Sequence, residues 1–203
     1  MNIRANLANI LTSSRFFLAP LFALAYGLTL TTGEWVVPGL TIMMCLFVLT
    51  ELTDLLDGFV ARATATISDV GKVLDPYADV FARLTYFTCL VHAGVMPLWF
   101  LLIVIYRELG IILIRMLLLR SGVALGAKLL GKLKSAFYGI SAFVAIVVYG
   151  IAIRGPEAAI PRSWNPTIGF IATILYGVTA ALALASLLQY FTVFVRARRS
   201  SGS

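Results

Sequence analysis

Charge is scarce in this chain. Of 203 residues, 12% are Asp, Glu, Lys or Arg, against about 25% in an ordinary soluble domain. Histidine occurs once and cysteine twice. Cys45 and Cys89 both sit in apolar runs, so neither a disulfide framework nor a zinc site is expected. Internal repeats, low-complexity tracts and long hydrophilic stretches are missing as well. No charged n-region with a short apolar run and a small-residue cleavage site stands at the start, so Met1 is expected to be retained. In place of all these there is apolar sequence: 61% of the residues, with a mean hydropathy of +0.97. Such a balance excludes an ordinary water-soluble enzyme, a disordered chain and a coiled coil. The length of 203 residues accommodates about six membrane helices of roughly 20 residues each with short connections.

Six apolar spans are read at about 7–30, 36–60, 72–92, 96–119, 133–153 and 166–194. Polar or Gly/Pro-containing stretches part them, such as Thr31–Glu34, Gly94–Pro97 and Arg154–Pro166. The expected fold is an all-α integral membrane protein with six transmembrane helices. Residues 1–195 are read as one six-helix transmembrane domain and 196–203 as a basic cytoplasmic tail. The net charge of +7 is read as basic loops facing anionic lipid, not as a nucleic-acid surface. Arg4, Arg62, Lys72, Arg120, Lys128, Lys132, Lys134, Arg196, Arg198 and Arg199 fall on or near one side, and Arg154 and Arg162 on the other. By the positive-inside rule both termini are expected in the cytoplasm. Trp35, Trp99 and Trp164 then lie near the opposite ends, as interface anchors, with His92 beside them.

Five of the nine acids lie between Asp54 and Asp79. An aspartate inside a membrane helix costs a few kcal/mol, which makes it a functional-site hypothesis by default. Asp54 and Asp57 are three apart, and Asp75 and Asp79 four apart, so each pair shares one face of its own helix. Residues 62–71 turn the chain back, and the two pairs are then expected to face each other. Four carboxylates brought together repel unless a cation neutralises them, and oxygen-only ligands select a hard divalent ion. A proton relay, or pairing of the acids with Arg62, Lys72 and Arg83, is the competing reading. Gly58, Ala61 and Gly71 beside the acids leave room for a ligand, and Arg62 offers a forked donor to a phosphate. A six-helix cation transporter would explain the intramembrane acids, but not the small residues and Arg62 at these spacings.

Asp54-x2-Asp57-Gly58-x2-Ala61-Arg62-x8-Gly71-x3-Asp75-x3-Asp79 matches the signature of the CDP-alcohol phosphotransferases at every fixed position. The chain therefore resembles that family of six-helix membrane enzymes, usually homodimers, with an active site opening to the cytoplasm. The resemblance implies that Asp54, Asp57 and Asp75 hold two ions, Mg²⁺ or Mn²⁺. Asp79 would lie by the ions and deprotonate the acceptor hydroxyl. Gly58, Ala61 and Gly71 would admit the cytidine, and Arg62 would contact the nucleotide or its diphosphate.

Two further stretches bear on the acceptor. Asn6-x2-Asn9-x-Leu11-Thr12-x2-Arg15-x4-Pro20 is similar to the opening of the family branch that uses glycerol 3-phosphate, with Ala8 where that branch has proline; Thr12 is assigned to the nucleotide site on this likeness. Tyr106-Arg107-Glu108, Arg115 and Gly131-Lys132-Leu133-Lys134-Ser135 resemble a second pattern of the same branch. Arg107, Arg115, Lys132 and Lys134 are accordingly expected to bind the acceptor phosphate, although Arg107 has Glu108 as an alternative partner. Val80 and Tyr138 depart from the branch and keep other acceptors open, such as inositol phosphate or serine, as well as headgroup transfer to diacylglycerol. The reaction expected is phosphatidyl transfer from CDP-diacylglycerol to sn-glycerol 3-phosphate in the inner membrane.

Overall fold

The computed structural model describes the backbone of residues 3–31, 33–64, 69–120, 129–153 and 166–200. Its side-chain description leaves out residues 1–12, 32–33, 54–75, 119–129, 132, 154–167 and 197–203. Six helices account for nearly all of the described backbone: α1 (Ile3–Thr29), α2 (Val36–Thr64), α3 (Asp69–His92), α4 (Leu98–Arg120), α5 (Leu129–Ile153) and α6 (Pro166–Ser200). A single 3-10 turn, Gly33–Trp35, precedes α2. No strand occurs among the described residues. Each of the six apolar spans read from the sequence falls on one of these helices.

The breaks between helices have local causes. The end of α1 tightens, with Leu30 N–H donating to Gly27 C=O and Thr31 N–H to Leu28 C=O, both at 3.2 Å. After α3 the chain turns at Gly94, whose φ of 72° lies in the left-handed region that only glycine enters without strain. Pro97 then sets up α4, its carbonyl accepting from Phe100 N–H at 3.1 Å. At the far end α6 does not stop where the apolar run stops. It continues through Arg196–Arg199 to Ser200, because arginine and alanine are good helix formers.

The described chain forms two compact units, Met1–His92 and Ala93–Ser203. In the first, α1 packs against both α2 and α3. Phe22, Met43, Phe47, Tyr86, Phe87 and Leu90 are buried there, and Phe22 and Phe47 both meet the Tyr86 ring edge-on. In the second, α6 packs against both α4 and α5. Its core includes Phe100, Tyr138, Ala142, Tyr176 and Ala183, with Ser141 and Thr179 hydroxyls bonded at 3.0 Å between α5 and α6.

Large apolar side chains also cover the outside, among them Phe17, Leu21 and Leu24 on α1 and Phe170, Ile171 and Ile174 on α6. Surface of this kind belongs in lipid. Among the described residues three segments are long and apolar enough to cross a membrane: Val36–Thr53, Leu133–Ile153 and Ile168–Arg196. Buried charges lie on α1 (Arg15), α3 (Arg83), α4 (Arg107 and Glu108) and α5 (Lys134).

Candidate active site

The acidic motif lies on two helices. Asp54, Asp57, Gly58, Ala61 and Arg62 belong to the last turns of α2, and Gly71, Asp75 and Asp79 to the first turns of α3. Both segments are helical, as the spacing argument requires, so each aspartate pair lies on one face of its helix. The side chains of Asp54, Asp57, Gly58, Ala61, Arg62, Gly71 and Asp75 lie outside the described residues, as do those of Thr12 on α1 and Lys132 on α5. Asp79 is therefore the one motif acid whose side-chain surroundings are described. Among the described residues no three His, Cys, Asp or Glu side chains gather as a metal site. The donor chemistry of the motif fits a hard divalent ion all the same: four carboxylates at helical spacing, with no imidazole or thiolate among them.

Around Asp79 the first unit builds a polar cluster. The Arg15 guanidinium of α1, buried in the helix pack, donates through Nη1 to Asp79 Oδ1. Arg83 stands one turn further along α3 and is also buried. On α2, Glu51 Oε1 accepts from the Tyr86 hydroxyl at 3.2 Å. These side chains, with Thr50 and Ala82, line a cavity of about 10 Å³, close to the space one water needs. Two guanidinium groups and two carboxylates balance in charge, which is the condition for burying them together.

The basic residues of the second unit form another cluster. Arg107 Nη1 donates to both carboxylate oxygens of Glu108 at 2.9 Å, and its Nη2 donates to Ser186 Oγ at 2.8 Å. Lys134 Nζ donates to Glu108 Oε1 and sits 4.8 Å from the centre of the Tyr138 ring. Arg107, Glu108, Lys134 and Ser186 are all buried. Glu108 thus bridges two cations, and the group carries one net positive charge. Two turns along α4, Arg115 donates through Nη2 to the Tyr190 hydroxyl at 3.2 Å, with its guanidinium carbon 5.6 Å from that ring's centre. Gly131 lies beside the Tyr190 hydroxyl, and a Cβ added there would meet that oxygen at 3.9 Å, an ordinary van der Waals contact. Among the described residues the Nε atoms of Arg107 and Arg115 have no hydrogen-bond partner.

Of the residues assigned to the acceptor phosphate, the structure brings Arg107 and Lys134 together on Glu108 and places Arg115 on Tyr190. The pairing of Arg107 with Glu108 is the alternative that the sequence itself offered. Sequence reasoning gave no role to Ser186 or Tyr190, for a serine or tyrosine in an apolar helix carries no charge to mark it. Arg15 was visible as an arginine within an apolar span, but its partner was not. His92 accepts or donates at Nδ1 with the Tyr26 hydroxyl at 2.6 Å, tying α3 to α1 at the end away from the acids.

Comparison with known proteins bears on the same residues. A family model described as CDP-alcohol phosphatidyltransferase matches residues 5–197. A Treponema pallidum protein named CDP-diacylglycerol–glycerol-3-phosphate 3-phosphatidyltransferase is 36% identical over 152 residues, 73% of this chain and 68% of that protein. A Bacillus subtilis protein of the same name is 30% identical over 136 residues, 64% of this chain and 70% of that protein. A Mycobacterium tuberculosis protein named probable phosphatidylglycerophosphate synthase is 32% identical over 154 residues, 75% of this chain and 69% of that protein.

Proposed function

This chain belongs to the CDP-alcohol phosphatidyltransferase family, and on that premise we propose that it transfers a phosphatidyl group from CDP-diacylglycerol to sn-glycerol 3-phosphate. The products are phosphatidylglycerol phosphate and CMP. The observation that carries this reading is the complete acidic motif laid on two helices, Asp54 to Arg62 on α2 and Gly71 to Asp79 on α3, in a chain whose relatives bear that activity in their names.

The roles divide by chemistry. Asp54, Asp57, Asp75 and Asp79 would hold two divalent ions, Mg²⁺ or Mn²⁺. Such ions supply neutralisation of the diphosphate and of the charge on departing CMP. Gly58, Ala61 and Gly71 leave room for cytidine, while Arg62 and Thr12 contact the nucleotide and its diphosphate. Asp79 takes the proton of the acceptor hydroxyl. That oxygen then bonds to the phosphatidyl phosphorus as the bond to CMP breaks. Arg107, Arg115, Lys132 and Lys134 supply positive charge for the acceptor phosphate. Glu108 offsets one of those charges, and Tyr138 lies under Lys134, which gives the tyrosine a cation–π role at a position where the resembled branch often has glutamine. The six helices would cross the inner membrane as a single catalytic domain, 1–195, with both termini and the active site on the cytoplasmic face. The working unit would be a homodimer.

CMP release from CDP-diacylglycerol by the purified protein tests the reading. Release should require both a divalent metal and glycerol 3-phosphate, and an acceptor panel should favour glycerol 3-phosphate over inositol phosphate and serine. In the same assay Arg115→Ala and Lys132→Ala should raise the acceptor KM more than the donor KM. Metal-dependent ion flux with no CMP formed would instead make the acids a transport site.

A further inference from the structure

The N-terminal stretch from Asn6 to Pro20 contains an arginine that none of the roles above uses. Arg15 is 2% exposed, in the middle of α1, with Phe22 and Ala19 buried on the same helix. Its guanidinium reaches from α1 to α3 and donates to Asp79 Oδ1. A buried arginine so placed requires a carboxylate, but a lysine would serve for charge alone. What a guanidinium adds is a planar fork that sets the direction of the carboxylate it meets. The surroundings give the pair little room. Glu51, Arg83 and Tyr86 close around it, and the cavity they leave is about 10 Å³, close to one water. The Asp79 side chain nevertheless keeps 30% of its surface exposed. Arg15 grips one of its oxygens from inside the helix pack.

We propose that Arg15 is a positioning residue for phosphatidyl transfer: it holds the Asp79 carboxylate in one orientation on α3, so that the α1 motif and the acidic motif act as one unit. This inference rests on the reading of Asp79 as the group that takes the acceptor proton. A base must lie within hydrogen-bond reach of that proton and be aligned with it. A misplacement of about 1 Å costs on the order of 10²-fold in rate. A carboxylate hydrogen-bonded by a buried, planar guanidinium on a neighbouring helix keeps that alignment, whereas one tethered only through its own side-chain torsions does not.

The test uses the full-length protein in detergent, with CMP release measured under saturating Mn²⁺. Arg15→Lys keeps the charge and loses the fork. Its kcat is expected to fall by about 10²-fold, while the KM for CDP-diacylglycerol stays within about threefold. Arg15→Ala is expected to regain part of its kcat when guanidinium chloride is added at tens of millimolar, and not when NaCl is added to the same ionic strength. Wild-type kcat in Arg15→Lys would overturn the inference. So would an Arg15→Ala protein that guanidinium does not revive, since Arg15 would then matter only to packing. Asp79→Asn serves as the parallel variant. If it turned over normally, the reading of Asp79 would fail and this inference with it. A dead Asp79→Asn beside an unimpaired Arg15→Lys removes this inference alone.

Discussion

Glu108 shows what a single residue settles in this molecule. It is 5% exposed and holds both Arg107 and Lys134. Removing one partner of a buried ion pair leaves the other charge uncompensated, and that costs about 3–5 kcal/mol. Glu108→Gln takes the carboxylate away from two buried cations, Arg107 and Lys134. The expected outcome is a protein that melts several degrees lower in detergent, followed by thiol-reactive or static-light-scattering thermal assays. Glu108→Asp, which keeps the charge, should recover most of the loss. At this scale the sequence was legible where partners are neighbours and silent where they are distant. Arg107 and Glu108 declare themselves as chain neighbours. Arg15 and Asp79 are 64 residues apart and Arg107 and Ser186 are 79 apart, so no local pattern joins them.

At the scale of the element, the apolar runs foretold all six helices, because polar or Gly/Pro-containing stretches part them. The ends were less visible. Hydropathy falls silent at Arg196, but the helix goes on to Ser200, since helix propensity does not depend on being apolar. The contacts between helices were not legible at all. Gly39 is an example. A Cβ placed there would meet Thr29 Cγ2 at 2.9 Å, the Ala25 carbonyl oxygen at 3.0 Å and Leu28 Cβ at 3.1 Å. Glycine is what lets α2 approach α1 so closely. Gly39→Ala should gain up to about 1 kcal/mol in helix propensity. The clash falls partly on backbone, which cannot rotate away, and overpacking of this kind costs about 1–3 kcal/mol. The clash wins, so Gly39→Ala is expected to lower the melting temperature. Gly27→Ala, where an added Cβ meets nothing within 4 Å, should leave it unchanged or raise it slightly.

For the whole molecule, the few charges bear on the orientation proposed above. If six helices cross the membrane, the stretches joining α2 to α3 and α4 to α5, and both termini, share one side. Arg62, Lys72, Arg120, Lys128, Lys132, Arg196, Arg198 and Arg199 are all there, and Arg154 and Arg162 are on the other. Lys and Arg in short loops resist translocation, so on the orientation proposed above the richer side would be the cytoplasmic one. The acidic motif ends α2 and begins α3, so on that proposed orientation it would lie on the same side, within reach of a water-soluble phosphorylated acceptor. Orientation and chemistry therefore make one prediction. A fluorescent protein fused after Ser203 should fold and fluoresce, and alkaline phosphatase at that position should be inactive. Alkaline phosphatase inserted after Gly155 should be active. The reverse pattern would put the aspartates on the face away from the cytoplasm. Replacing Arg196, Arg198 and Arg199 by Gln removes only three of the eight cations named above, so the C-terminal fusion should stay fluorescent. Loss of fluorescence in that variant would mean that the tail alone, and not the summed charge of the loops, holds the chain in place.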